Sequence, residues 1–207
     1  MHIALFGATR GMGRELARQL AARSDRLVLL GRRAEDLERS ARDLEVRSGR
    51  TDAVGIVAPC DLDDPSTFEP ALAAAEEQLG RLDAVIVTAG IFETQDDLEA
   101  DPALAARLMT VDFTNTVLFC EAARRRLLAR GGGTLCVFSS VAGDRGRKPT
   151  VIYGAAKAGL QRYLEGLDHR WHLKGLRVID VRPGFVHTSM TADLDAPPFA
   201  GQPDAVA

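Results

Sequence analysis

Aromatic residues are scarce, with one tryptophan, two tyrosines and eight phenylalanines among 207 residues, so aliphatic side chains must form most of any core. Cysteine is scarcer still. Cys60, Cys120 and Cys136 lie far apart among apolar neighbours and form no CxxC pair, which argues against a disulfide framework or a metal knuckle and for reduced core thiols of a cytoplasmic protein. Excess charge of one sign is missing, since 26 Lys and Arg stand against 29 Asp and Glu. That balance points away from a nucleic-acid partner. No apolar run approaches the ~18 residues of a membrane span. The start, His2-Ile3-Ala4-Leu5-Phe6, reads as a strand and lacks the charged onset, long apolar run and cleavage site of a secretory signal. Repeats, low-complexity stretches and linkers are absent, so residues 1–207 are read as a single domain.

What is present is an alternation of short apolar runs and amphipathic stretches. Strands are expected at Ile3-Phe6, Leu27-Leu30, Ala53-Val57, Ala84-Thr88, Leu135-Phe138 and Val178-Val181, mostly without the polar alternation of a one-sided sheet. Helical spacing is expected at about Gly11-Arg23, Ala34-Arg47, Pro65-Leu79, Pro102-Arg130 and Val151-Leu173. This rhythm predicts an α/β fold, a Rossmann-type doubly wound parallel sheet of about six strands with helices on both faces. Ligands of such sheets sit at the carboxyl ends of the strands, which is where the motifs fall.

Gly7-Ala8-Thr9-Arg10-Gly11-Met12-Gly13 follows the first strand and opens a helix. Glycines there allow a tight turn and close approach of backbone to a pyrophosphate, which the free N–H groups and positive end of the helix stabilise. A plain tight turn is the alternative, and the strand-turn-helix context favours a dinucleotide. Arg10 lies inside this loop, and Arg32 and Arg33 follow Gly31 at the end of the second strand. An NAD site more often has an acidic residue where Gly31 stands, whereas the 2'-phosphate of NADP calls for cations, so NADP(H) is favoured over NAD(H). Asp61, followed by Leu62, is placed after the third strand to hydrogen-bond an adenine edge, or to cap a helix.

Ser139 and Ser140 end the fifth strand, and Tyr153 and Lys157 follow. Four residues apart on a helix, Tyr153 and Lys157 share a face. A free tyrosine, with a pKa near ~10, exchanges its proton inefficiently at neutral pH. Lys157 and a positively charged nicotinamide are expected to lower it, while the Ser140 hydroxyl polarises a substrate oxygen. Taken singly, these residues read as an amphipathic face and a turn.

In order and spacing these motifs resemble the short-chain dehydrogenase/reductase family over essentially the whole chain. The resemblance implies a cofactor loop at Gly7, Thr9, Arg10, Gly11, Met12 and Gly13, an adenine contact at Asp61 and Leu62, and a catalytic Ser140, Tyr153 and Lys157, with Tyr153 and Lys157 also touching cofactor. Arg182-Pro183-Gly184-Phe185-Val186-His187-Thr188 resembles the family's nicotinamide-contacting segment, which assigns Pro183, Gly184, Val186 and Thr188 to the cofactor. Val87-Thr88-Ala89-Gly90 departs from the family by carrying Thr88 where an asparagine is usual, although Ala89 and Gly90 stay on the cofactor side. Asp112 stands where the family's asparagine holds a proton-relay water. It is expected to hold that water or pair with Lys157, with Asn115 as a substitute for the water and helix packing as its ordinary role.

Ser139-Ser140-Val141-Ala142-Gly143-Asp144-Arg145-Gly146-Arg147 and the stretch Ser189 to Pro197 are similar to reductases of the decaprenylphosphoryl-2-keto-pentose group. That likeness implies a small-molecule ketone such as a 2-keto sugar, with Arg145, Arg147 and Lys148 either facing a lipid phosphate or solvated. The family's usual last helix and seventh strand are expected to be missing, leaving Phe185, His187, Met190 and Phe199 to line a short lid. The family also implies a homodimer or homotetramer built on the helix near Arg124-Arg126 and the Tyr153 helix. The competing readings are a catalytically weak NADP-binding regulatory or scaffold protein and, ranked last, a sugar-nucleotide epimerase.

Overall fold

The computed structural model describes residues 1–51, 53–192 and 194–207. Six parallel strands form one sheet in the order β3-β2-β1-β4-β5-β6: β1 (His2–Phe6), β2 (Arg26–Leu30), β3 (Val54–Val57), β4 (Ala84–Val87), β5 (Gly133–Phe138) and β6 (Leu176–Val181). The order reverses between β1 and β4, so the chain diverges on leaving these two strands and opens a crevice. Register makes that crevice level: Phe6 pairs with both Leu30 and Val87, which sets the turns after β1, β2 and β4 side by side.

Both faces of the sheet are covered, as its continuous apolar strands require. One core packs β1, β2 and β4 against α1 (Gly11–Ala22) and α2 (Ala34–Ser48) through Leu5, Leu29, Leu20 and Leu44. The other packs the opposite face against α3 (Phe68–Leu79), α6 (Thr116–Ala129) and α7 (Val151–Trp171). Phe119, fully buried, centres this second core with its ring 4.9 Å from Phe6 and 5.4 Å from Phe68. Few aromatics suffice because these three meet at one point.

Four features depart from the expected elements. A short helix α4 (Gln95–Ala100) precedes α5 (Pro102–Met109); Thr94 caps it by accepting from the Asp97 N–H at 3.2 Å. The expected long helix is real but contains a wide π-turn, Thr110–Asn115, between α5 and α6. The Thr116 hydroxyl takes up the Val111 carbonyl there at 2.8 Å. That helical run, Pro102–Ala129, is also long and apolar enough by length and composition to cross a bilayer, a test that the core helix of a globular domain also passes. Cys120, Ala123 and Leu127 on it are fully buried in the second core. Finally, the chain beyond β6 folds back, with Gly201 donating to the Phe185 carbonyl and accepting from the His187 N–H, and α8 (Pro203–Val206) meets α1 through Gln19 Nε2 and the Asp204 carbonyl, 3.2 Å apart.

Candidate active site

The glycine loop is shaped by contacts that exclude side chains. Gly7 and Gly11 have φ of 102° and 52°, the left-handed region that glycine enters without strain. At Gly13 the constraint is space, since a Cβ there would lie 2.3 Å from the Gly7 carbonyl oxygen and 2.4 Å from Thr88 Oγ1. Thr88 donates to the Phe6 and Gly7 carbonyls, both at 3.1 Å, so its hydroxyl laces β4 to the loop where the family's asparagine was expected. Helix α1 starts at Gly11 with no side-chain cap and no acidic residue in its first turn. Its first N–H groups are left for an anion.

A cavity of about 440 Å³ runs along the carboxyl ends of the strands. Of the residues expected to hold a cofactor, Gly7, Thr9, Arg10, Arg32, Arg33, Asp61, Leu62, Ala89 and Gly90 line it. Gly13 lies behind the loop as a spacer, and Met12 turns into the α1–α2 core. Gly11 faces a neighbouring groove with Thr188, whose methyl would be 3.2 Å from a Cβ at Gly11. Val186 is buried. The Pro183 carbonyl accepts the Val141 N–H at 3.1 Å, holding the turn after β5 against that after β6, with Gly184 exposed beyond it.

Asp61 is free of the helix-capping role, because Asp64 performs it by accepting from Ser66 N at 3.0 Å. Helix α5 and the π-turn grip the loop after β3 twice: Arg107 bonds Asp63 through both carboxylate oxygens at 3.0 and 2.7 Å, and buried Asn115 donates to the Leu62 carbonyl at 2.6 Å. Asn115 therefore serves the packing role. The thiols are unpaired and inert, since burial and then Asp61 push Cys60 up to about 12, while burial and then Asp180 push Cys136 up to about 11.

The reacting groups lie behind the stretch Gly90–Phe92 of the cavity wall, where Phe92 stands edge-on to Tyr153 and Gly90 faces Lys157. Ser140 leaves β5 in extended backbone, its Oγ accepting from Ala142 N at 3.1 Å while Gln161 holds its carbonyl at 2.7 Å. Tyr153 and Lys157 lie one turn apart on α7, with the ammonium 5.3 Å from the phenol ring centroid. Asp112, fully buried in the π-turn, places Oδ2 2.9 Å from Lys157 Nζ and accepts the Ile91 N–H on Oδ1 at 2.8 Å. Of the two roles expected for Asp112, the structure has the pairing. Gly90 makes room for it, because a Cβ there would stand 3.1 Å from Asp112 Oδ1 and 3.5 Å from Lys157 Nζ.

Burial pulls Lys157 down, but Asp112 foremost, with Tyr153 and Asp180 adding to it, outweighs burial and holds the ammonium above its ordinary range. Lys157 pulls Tyr153 down as expected, but in the chain by itself the phenol stands above its ordinary value. Burial raises the phenol, Lys157 and a Ser140 contact pull it down by less, and Asp112 adds to the rise. The carboxylate that keeps Lys157 charged also cancels part of its field.

The residues expected to line a lid are placed unevenly. Met190 lines the cavity, Phe185 and His187 pair edge to face at 5.9 Å, but Phe199 is 97% exposed and lines nothing. Asp193, within the segment from Ser189 to Pro197, lies outside the described residues. Arg124, Arg125 and Arg126 are engaged within the chain by Glu121, Glu69 and Glu76. Sequence reasoning missed Phe92, which lines the cavity and stands edge-on to Tyr153 at 5.1 Å, as well as Asp36 and Arg107. Only Asp36 left a signal, its helical spacing from Arg33.

A family model described as short chain dehydrogenase matches residues 1–198. An uncharacterized oxidoreductase of Mycobacterium tuberculosis is 34% identical over 209 residues, covering 99% of this chain and 81% of that protein. The human 3-oxoacyl-[acyl-carrier-protein] reductase is 31% identical, covering 92% of this chain and 78% of the relative. Among solved structures, an actinorhodin polyketide ketoreductase with NADPH superposes with a TM-score of 0.87 at 24% identity, over 99% of this chain and 87% of that one, a likeness of fold.

Proposed function

Because the chain belongs to the short-chain dehydrogenase/reductase family and is thereby an NAD(P)-dependent oxidoreductase acting on CH–OH/C=O groups, we propose that it reduces a ketone to a secondary alcohol with NADP(H), using Tyr153 as the acid. The residues present fit a dinucleotide: α1 has an uncapped start free of acid, Gly13 leaves no room for a side chain behind the loop, and Arg10 and Arg32 line the cavity. When bound, the nicotinamide supplies the hydride. Ser140 holds the substrate oxygen, and Tyr153 gives it a proton as negative charge develops there. Lys157 stabilises the tyrosinate left behind, and Asp112 keeps Lys157 protonated in a buried place. Arg10 and Arg32 meet the 2'-phosphate, and Phe92 walls the phenol from water. The observation that carries this reading is the grouping of Ser140, Tyr153 and Lys157 directly behind Phe92 and Gly90, two residues of the wall of the cavity that the glycine loop also lines.

The substrate we would offer first is a 2-keto sugar linked to a polyprenyl phosphate. Arg145, Arg147 and Lys148 support it, being exposed on the segment that joins Ser140 to Tyr153. One observation favours a second reading, a cofactor-binding protein with weak turnover: Asp112 offsets Lys157 where an asparagine would not. The test is Tyr153→Phe, assayed by NADPH absorbance on a ketone panel that includes 2-keto sugars, beside calorimetric titration with NADPH. Turnover should vanish with cofactor affinity within about twofold of wild type. Unchanged turnover in the variant would remove Tyr153 from the mechanism, and wild-type binding without turnover would favour the second reading.

A further inference from the structure

Three arginines, Arg10, Arg32 and Arg33, share the adenosine side of the cavity with Asp36, Asp61 and Asp63; Asp63 is taken by Arg107, and Asp36 is the carboxylate paired with one of the three. They are not equivalent. Arg33 and Asp36 are one turn apart at the start of α2, and Arg33 Nη2 lies 2.5 Å from Asp36 Oδ2. Asp36 also takes Arg39. The carboxylate is the inner member, 18% exposed against 66% and 70% for the two arginines, so the cations are drawn to it. A little burial pushes Asp36 up, but Arg33 and Arg39 hold it below the usual carboxylate range, and it is ionised at neutral pH. By contrast, neither Arg10 nor Arg32 forms an ion pair among the described residues.

A phosphate arriving beside β2 and the start of α2 therefore meets an arginine already satisfied and, in Asp36, the carboxylate that satisfies it and repels the phosphate. A ribose carrying a free 2'-hydroxyl meets no such repulsion. From this arrangement we infer that Asp36 is a specificity-determining residue, a carboxylate brake that withholds Arg33 from the 2'-phosphate and leaves recognition to Arg32 and Arg10. The chain then discriminates NADP(H) from NAD(H) less sharply than its three arginines suggest. The inference rests on the cofactor reading above and concerns a residue on α2 rather than the end of β2, where Gly31 stands.

The test is calorimetric titration of the whole chain with adenosine 2',5'-bisphosphate and adenosine 5'-monophosphate at low salt, which needs no turnover. Asp36→Asn keeps the size of the side chain and should tighten bisphosphate binding by about two- to five-fold, the scale of one solvent-exposed charge pair, with monophosphate binding unchanged. Arg33→Ala should stay within about twofold of wild type, whereas Arg32→Ala should weaken the bisphosphate by roughly tenfold. Equal changes for both nucleotides in Asp36→Asn, or a loss of bisphosphate affinity, would overturn the brake. If Asp36→Asn does not fold, the arginine variants decide, and equal losses from Arg32→Ala and Arg33→Ala overturn it. Wild type that binds neither nucleotide sinks the cofactor reading, whereas wild type that binds both beside a silent Asp36→Asn sinks only the brake.

Discussion

One aspartate–cation pair lines the cleft and a second is buried behind its wall at Gly90 and Ile91, and the two do opposite work. Asp36 and Arg33 sit near solvent, with side chains 18% and 66% exposed, where such a pair contributes little and is screened by salt. Asp112 and Lys157 are 0% and 6% exposed, and breaking a buried pair by removing one partner costs ~3–5 kcal/mol. The exposed pair can be adjusted, and in the cofactor reading it biases a choice. The buried pair cannot be adjusted without unsettling the fold, so it sets the electrostatics of the reacting groups.

The largest effect should therefore come from Asp112→Ala, which strands a buried ammonium and removes the acceptor of the Ile91 N–H. We expect a loss of ~3–5 kcal/mol in denaturant unfolding; a loss below about 1 kcal/mol would mean that water reaches Lys157 and that the two pairs do not differ in kind. Asp112→Asn keeps the acceptor and removes the charge. Asp112 raises Tyr153, so without that charge the phenol should ionise at lower pH. In the alcohol-oxidising direction, which needs tyrosinate, the rising limb of the rate profile should move to lower pH. A limb that stays in place would remove Asp112 from control of Tyr153.

Gly13→Ala ranks next and acts at the glycine loop. Its Cβ would press on the Gly7 carbonyl at 2.3 Å, a backbone atom that cannot swing away, so the loop must open and nucleotide binding should fall at least about tenfold by calorimetry while circular dichroism shows intact secondary structure. Binding kept at the wild-type level would show that the loop has slack and that its close packing does not shape the phosphate site.

This contrast also explains what could be read in the sequence. All six strands were legible because a sheet covered on both faces needs continuous apolar runs, though the ends of some were not: Arg26 and Gly133 join strands through backbone pairing that their side chains do not announce. The glycine loop and the spacing of Ser140, Tyr153 and Lys157 were legible because local geometry demands those residue types. The π-turn was not, since Thr110–Asn115 has an ordinary helical pattern and the wider turn arises from packing. Nor was the partner of Asp112, which lies 45 residues away on another helix and could only be offered as one of two roles. Likewise, the sign of the shift at Tyr153 depended on burial, which spacing does not report.

The smallest effect returns to the comparison on a single loop. The stretch after β3 is held by an exposed tie, Arg107 to Asp63 with side chains 43% and 38% exposed, and by a buried one, Asn115 to the Leu62 carbonyl. The exposed tie has better geometry, two nearly parallel bonds, and charge on both partners. It should nevertheless matter less, because water replaces those bonds when Arg107 is removed, whereas nothing replaces the bond to a buried carbonyl. Arg107→Ala should cost ~0.2–1 kcal/mol and Asn115→Ala about 1–3 kcal/mol in the same unfolding assay. If Arg107→Ala proves the costlier, bidentate geometry outweighs burial here, and the exposed Arg33–Asp36 pair holds more firmly than its exposure implies.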